Sequence, residues 1–191
     1  MSNKPFVAAW RGAARYTRTA IALHWIIALL ICCAVPLGLY MNGLPLSPRK
    51  LQLYSYHKWL GIGILVLAVL RLLWRARHPP PPLESMARWQ HIAAQSAHHA
   101  LYLLLLLVPL SGWMMSSALG FPVVWFGVLP LPDLIGKNAE AGAALKIVHQ
   151  VLNYALAGTV LGHSGAALWH HFIDRDRTLV RMLPFLDREK S

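Results

Sequence analysis

The sequence predicts an all-α integral membrane protein, a bundle of four transmembrane helices, and three observations predict it. Four apolar stretches occupy nearly half of the 191 residues, and each is long enough to cross a hydrocarbon core of about 30 Å as a helix. Hydrophobic residues make up 57% of the chain and charged residues only 13%, roughly half the charged share of a soluble domain. The cations gather at the ends of the apolar stretches, where a bilayer interface would hold them. The net charge of +11 is therefore read as contact with anionic membrane lipid and as a topology signal, and nucleic acid is excluded as a partner.

The chain reads as one membrane domain over 1–191, with a basic tail over 1–19. The apolar run that follows is longer than a secretory signal core and has no small-residue cleavage pattern after it, so the tail is expected to be retained. Span one, 20–40, contains Pro36 and the adjacent Cys32 and Cys33. Neighbouring cysteines rarely bridge, and neither a metal spacing nor C-x-x-C-H is present, so they receive no role. Span two covers 56–74. It is followed by RARHPPPPLESMARWQ, whose four prolines cannot continue a helix. Span three, 96–116, contains Pro109, which like Pro36 bends a membrane helix without ending it. Span four covers 147–172, and 173–191 form a second tail.

Orientation follows from the cations. Lys4, Arg11, Arg15, Arg18, Arg75, Arg77, Arg88, Arg175, Arg177, Arg181, Arg188 and Lys190 fall on one side of the four spans, against Arg49, Lys50, Lys58, Lys137 and Lys146 on the other. Both termini are expected to be cytoplasmic. Trp10, Trp25, Trp74, Trp89, Trp125 and Trp169 lie near span ends, as an aromatic belt would.

The fourth span carries the chemistry. His149 and His163 are fourteen residues apart, which at 100° per residue returns nearly to the same helix face and at 1.5 Å per residue separates the rings by about 21 Å along the axis. His24 lies near the cytoplasmic start of span one, level with His163. His57 lies at the outer start of span two, level with His149. Two levels, each with two imidazoles from different helices, match bis-histidine ligation of two haems b, and polar rings inside a membrane are costly unless used. Arg71 follows His57 by the same fourteen residues and falls level with His163. It either pairs with a haem propionate or snorkels to the interface with Arg75 and Arg77. Gly61, Gly63, Gly158 and Gly162 either leave room for a flat macrocycle or, as in the G-x-x-x-G of 158–162, pack helices together. His98 is on the layer of His24 and His163, as an interfacial ring or in contact with a propionate or quinone headgroup. His78, His91, His99, His170 and His171 read as solvated interface.

These residues resemble the bacterial cytochrome b561 family of small dihaem membrane cytochromes. The resemblance is carried by IALHWII around His24, HKWLGIGILVLAVLRLLWR from His57, HHALYLLLLLVPLSGWMM from His98 and HQVLNYALAGTVLGHSGAALWHHFIDRDRTLVRMLP from His149. It covers the chain from Tyr16 onward and is weakest over 120–144. It implies non-covalent haem b on His24, His57, His149 and His163, a bacterial inner-membrane location, and electron transfer from superoxide at the outer face to ubiquinone. Lys58, Lys137 and Lys146 then become candidates for attracting the superoxide anion, with lipid headgroups or haem propionates as their alternative partners. Two other functions compete. One is a cytochrome b subunit linking a partner dehydrogenase or hydrogenase to quinone. The other is a non-redox permease or scaffold, which would show no haem absorption.

Overall fold

The computed structural model describes residues 16–82 and 86–186, and the tail residues Lys4, Trp10, Arg11, Arg15, Arg188 and Lys190 lie outside the described residues. Four long helices account for most of it: α1 Arg18–Asn42, α2 Pro48–Arg77, α3 Arg88–Ala118 and α4 Ala139–Trp169. The first three run past the apolar stretches at both ends, whereas α4 begins ahead of the fourth stretch and gives way at Trp169 to a π-helical turn, His170–Asp174, before the predicted end at 172. Pro36 and Pro109 both lie inside helices.

Each helix starts on a local signal. Thr17 Oγ1 accepts from Ala20 N to cap α1, Ser47 caps α2 ahead of Pro48, and Asn138 Oδ1 accepts from Ala141 N to cap α4. At α3, Gln90 Oε1 accepts from Ala87 N. Chain ends are set as simply: α2 stops at His78, ahead of the prolines, and α3 gives way to Gly120 at φ +76°, a conformation glycine adopts without a Cβ clash.

The backbone packing runs in chain order, α1 on α2, α2 on α3 and, most extensively, α3 on α4. Ile27, Ile31 and Ala34 of α1, Ile64 and Ala68 of α2, Leu104, Leu105 and Val108 of α3 and Leu156 of α4 form the core. Leu29, Leu70, Leu103, Val151 and Leu161 instead face outward. An apolar exterior of this extent belongs in lipid rather than water.

Among the described residues α1, α2 and α3 are long and apolar enough to cross a membrane. Helix α4 has the length, but His149, Gln150, Asn153 and His163 lower its apolar character. Of these, His149 and His163 pair with rings of other helices and Asn153 Nδ2 donates to His149 O.

The α3–α4 connection, which the sequence left without structure, folds back as a two-stranded hairpin, β1 Val124–Trp125 with β2 Leu129–Pro130. Its tip holds Phe126 and Gly127 at φ 51° and 74°. A phenylalanine at positive φ is costly, and its ring is held 5.4 Å from Trp59 and 4.9 Å from Trp125. Trp59 Nε1 donates to Val124 O, Trp125 Nε1 to Trp59 O and Trp113 Nε1 to Pro132 O. Indole donors thus fasten the hairpin to α2 and α3. This end of the molecule is called the hairpin end, and the opposite one, with residues 16–17 and 170–186, the tail end.

At the tail end, Trp25 Nε1 donates to Met182 O and Trp74 Nε1 to Thr17 Oγ1. Thr17 therefore both caps α1 and accepts from α2. Thr17→Ala is expected to cost about 1–2 kcal/mol of stability, the sum of a lost cap and an orphaned indole N–H. Thr17→Ser should retain most of it. Thermal unfolding in detergent reads both, and equal midpoints for wild type and Thr17→Ala would show that the hydroxyl contributes nothing.

Candidate functional site

Helices α1 and α2 face α4 across a seam that backbone packing does not close, and two pairs of imidazoles bridge it. At the hairpin end the rings of His57 and His149 stand 6.3 Å apart, centre to centre, with their planes crossed at 87°. At the tail end His24 and His163 stand 6.2 Å apart with planes crossed at 70°. All four rings are half-buried.

The hairpin-end pair is held by a device used twice. His57 Nδ1 donates to Ala34 O of α1 at 3.1 Å, and His149 Nδ1 donates to Val108 O of α3 at 3.0 Å, with Ser111 Oγ 3.1 Å from the same nitrogen. One turn beyond each carbonyl is a glycine. A Cβ on Gly38 would stand 3.0 Å from His57 Cε1, and a Cβ on Gly112 would stand 2.9 Å from His149 Cε1. Helical Cα–Cβ bonds tilt toward the N-terminus, so a side chain at i+4 covers the carbonyl at i. Glycine there uncovers it. Each ring sits in the gap and donates its Nδ1 proton to the carbonyl, which leaves Nε2 as the nitrogen with a free lone pair.

Sequence reasoning missed Gly38, Gly112 and Ser111. The available signal was a glycine shortly after each intrahelical proline, Pro36 and Pro109, with no second glycine at G-x-x-x-G spacing. The glycines that were singled out behave differently. A Cβ on Gly61, Gly158 or Gly162 would meet nothing within 4 Å, and one on Gly63 would only reach Leu30 at 4.0 Å. The helix-packing reading of 158–162 therefore has no neighbouring helix to pack on, and these positions line open space. Gly61 borders an apolar cavity that also contains His57, His149, Ile31, Val108 and Leu156.

At the tail end, Arg71 Nε donates to Tyr102 Oη at 3.3 Å. The Arg71 and Arg75 guanidinium carbons lie 5.9 and 5.4 Å from the Tyr102 ring centre. Arg71 thus shares the Tyr102 ring with Arg75. His98 packs edge-on to His163 at 5.4 Å, a third imidazole at this level. His170 belongs to neither pair. It sits in the π-helical turn His170–Asp174, with Nδ1 2.8 Å from Asp176 Oδ2 and 3.0 Å from Asp174 Oδ2.

The three candidate lysines lie at the hairpin end in different settings. Lys58 Nζ donates to Phe121 O and Pro122 O, both at 3.2 Å, so it braces the α3–β1 segment. The aliphatic stem of Lys137 packs near Gly120, and Lys146 is exposed one turn before His149. Among the described residues no carboxylate pairs with any of them, so their positive field is not cancelled locally.

Two pairs of facing imidazoles thus bridge the seam at its two ends, and the comparisons with known proteins show the family. A family model described as prokaryotic cytochrome b561 matches residues 15–185. The chain belongs to the prokaryotic cytochrome b561 family. It is 37% identical to cytochrome b561 homolog 2 of Escherichia coli strain K12 over 88% of this chain and 91% of that one. It is 34% identical to cytochrome b561 homolog 1 of the same organism, over 89% and 97%. With a protein named probable superoxide oxidase CybB from Yersinia pestis it shares 31% identity, over 89% and 96%. This cytochrome b561 is therefore a membrane electron-transfer protein of a haem b family.

Proposed function

We propose that this cytochrome b561 binds two haems b, one between His57 and His149 and one between His24 and His163, on four membrane-spanning helices. The observation that carries the reading is the ring spacing. A first-row metal bonded at about 2.0–2.1 Å to nitrogens of two opposed imidazoles, each nitrogen about 1.1 Å from its ring centre, sets the ring centres about 6.3 Å apart. The observed separations are 6.2 and 6.3 Å. Open space beside Gly61, in the cavity between His57 and His149, leaves room for a macrocycle at the hairpin end, and Arg71 is placed for a propionate at the tail-end level. Helix α4 then crosses the membrane with its polar residues buried against cofactor, which lifts their cost in lipid.

Bound haem supplies a one-electron carrier at each level. The chain supplies the rest. Its fourteen-residue interval on α4 sets the levels about 21 Å apart along the helix, the carbonyl sockets fix the hairpin-end rings, and the apolar lining excludes water.

For the substrate we propose superoxide at the hairpin end, facing the periplasm, with ubiquinone as electron acceptor and both termini in the cytoplasm. The printed name of the Yersinia relative and the unpaired lysines Lys58, Lys137 and Lys146 support it. No side chain need make or break a bond in this chemistry. The lysines draw the anion in, so its association should slow as salt rises.

Stopped-flow mixing of the oxidised, purified protein with superoxide is expected to reduce haem rapidly, with ubiquinone restoring the oxidised spectrum. Lys146→Glu should slow the second-order step several-fold at low ionic strength and much less at high ionic strength. Slow reduction by superoxide at full haem content would instead assign the electron donor to a partner dehydrogenase or hydrogenase.

A further inference from the structure

The two levels of the seam are not built alike. At the hairpin end both rings donate Nδ1–H to a main-chain carbonyl, and at the tail end neither His24 nor His163 has such a bond among the described residues. Charge is distributed in the opposite sense, because Lys137 and Lys146 at the hairpin end are exposed to solvent that screens them. The guanidinium of Arg71 is held by Tyr102 at the tail-end level, whereas Lys58, the cation adjacent to His57, has its ammonium turned away onto Phe121 O and Pro122 O.

Both differences act on redox potential in the same direction. An imidazole that donates its distal N–H is a more basic ligand and favours the more positive, oxidised iron. A fixed cation in a low-dielectric layer disfavours that same positive charge and favours the reduced state.

Resting on the haem ligation proposed above, we infer that the chain sets the hairpin-end centre at the lower potential and the tail-end centre at the higher. Gly38, Gly112, Ala34 O and Val108 O are the positioning groups at one level, and Arg71 with Tyr102 at the other. The direction of electron flow is then built into the protein. With haem bound at both levels, transfer of an electron from the His57–His149 level to the His24–His163 level would be downhill before any acceptor is present. The sockets also give Gly38 and Gly112 a function that helix packing alone would not require.

The test is an optical potentiometric titration of the purified holoprotein, with haem per chain measured on the same samples. Wild type is expected to titrate as two components. In Gly112→Ala the new Cβ, 2.9 Å from Cε1 and 3.2 Å from Nδ1 of His149, drives the ring off Val108 O. The lower-potential component should move up while the higher one stays. In Arg71→Gln the higher-potential component should move down while the lower one stays, whether Arg71 acts directly or by neutralising a propionate. If Gly112→Ala sheds haem instead, the component that survives should be the higher-potential one.

A shift or loss of the higher component in Gly112→Ala, or of the lower component in Arg71→Gln, overturns the assignment. So do unchanged potentials in both variants. Haem content below two per chain in wild type would overturn the ligation itself, and that readout is separate from the order of potentials.

Discussion

His149→Ala is expected to retain one of two haems, the one at the tail end, and His163→Ala to retain the other. Helix α4 supplies one ring to each level, and opposed partners on α1 and α2 cannot hold iron at both axial positions alone. The loss should be close to complete at the hairpin end, where the lining is apolar apart from Asn153, and at the tail end His163→Ala is combined with His98→Ala, because His98 lies beside His163 and could replace it. Pyridine haemochrome analysis per chain measures it. The companion variants sharpen the outcome: His57→Ala should match His149→Ala in its residual spectrum, and His24→Ala should match His163→Ala. Pairing in any other combination, or full haem content in either α4 variant, would end the two-level arrangement.

Gly61→Leu has an expected effect of similar size and opposite cause. In the protein alone a side chain at this position meets nothing within 4 Å, and leucine is favoured over glycine in a helix by roughly 0.5–1 kcal/mol. The apoprotein should therefore fold as well as wild type or better. Yet Gly61 borders the cavity between His57 and His149, so leucine would occupy space a macrocycle needs, and the hairpin-end haem should be lost. A stable protein with a halved haem content separates this result from simple misfolding. If Gly61→Leu binds both haems, the macrocycle lies elsewhere.

Much of this architecture was legible along the chain. Apolar stretches of bilayer length are a local property, and the helical period of 3.6 converts the fourteen-residue intervals from His149 to His163 and from His57 to Arg71 into shared faces. That is why the grouping of His24 with His163, and of His57 with His149, could be read before any helix was packed. The hairpin over 124–130 was not legible. Its strands are two residues long, too short for an alternating pattern, and its turn uses Phe126 where glycine or asparagine would have signalled positive φ. Nor could the role of Lys58 be read, since its acceptors Phe121 O and Pro122 O come from a connection more than sixty residues away.

The sequence by itself determined which residues share a helix face and a depth, because both follow from spacing along one helix. Only the tertiary structure decided what each ring meets. His57 finds Ala34 O across 23 residues of chain and His149 finds Val108 O across 41. Those meetings depend on how one helix is rotated and shifted against its neighbour. Side-chain packing sets that relation over the whole length of both helices, and no periodicity within either one encodes it.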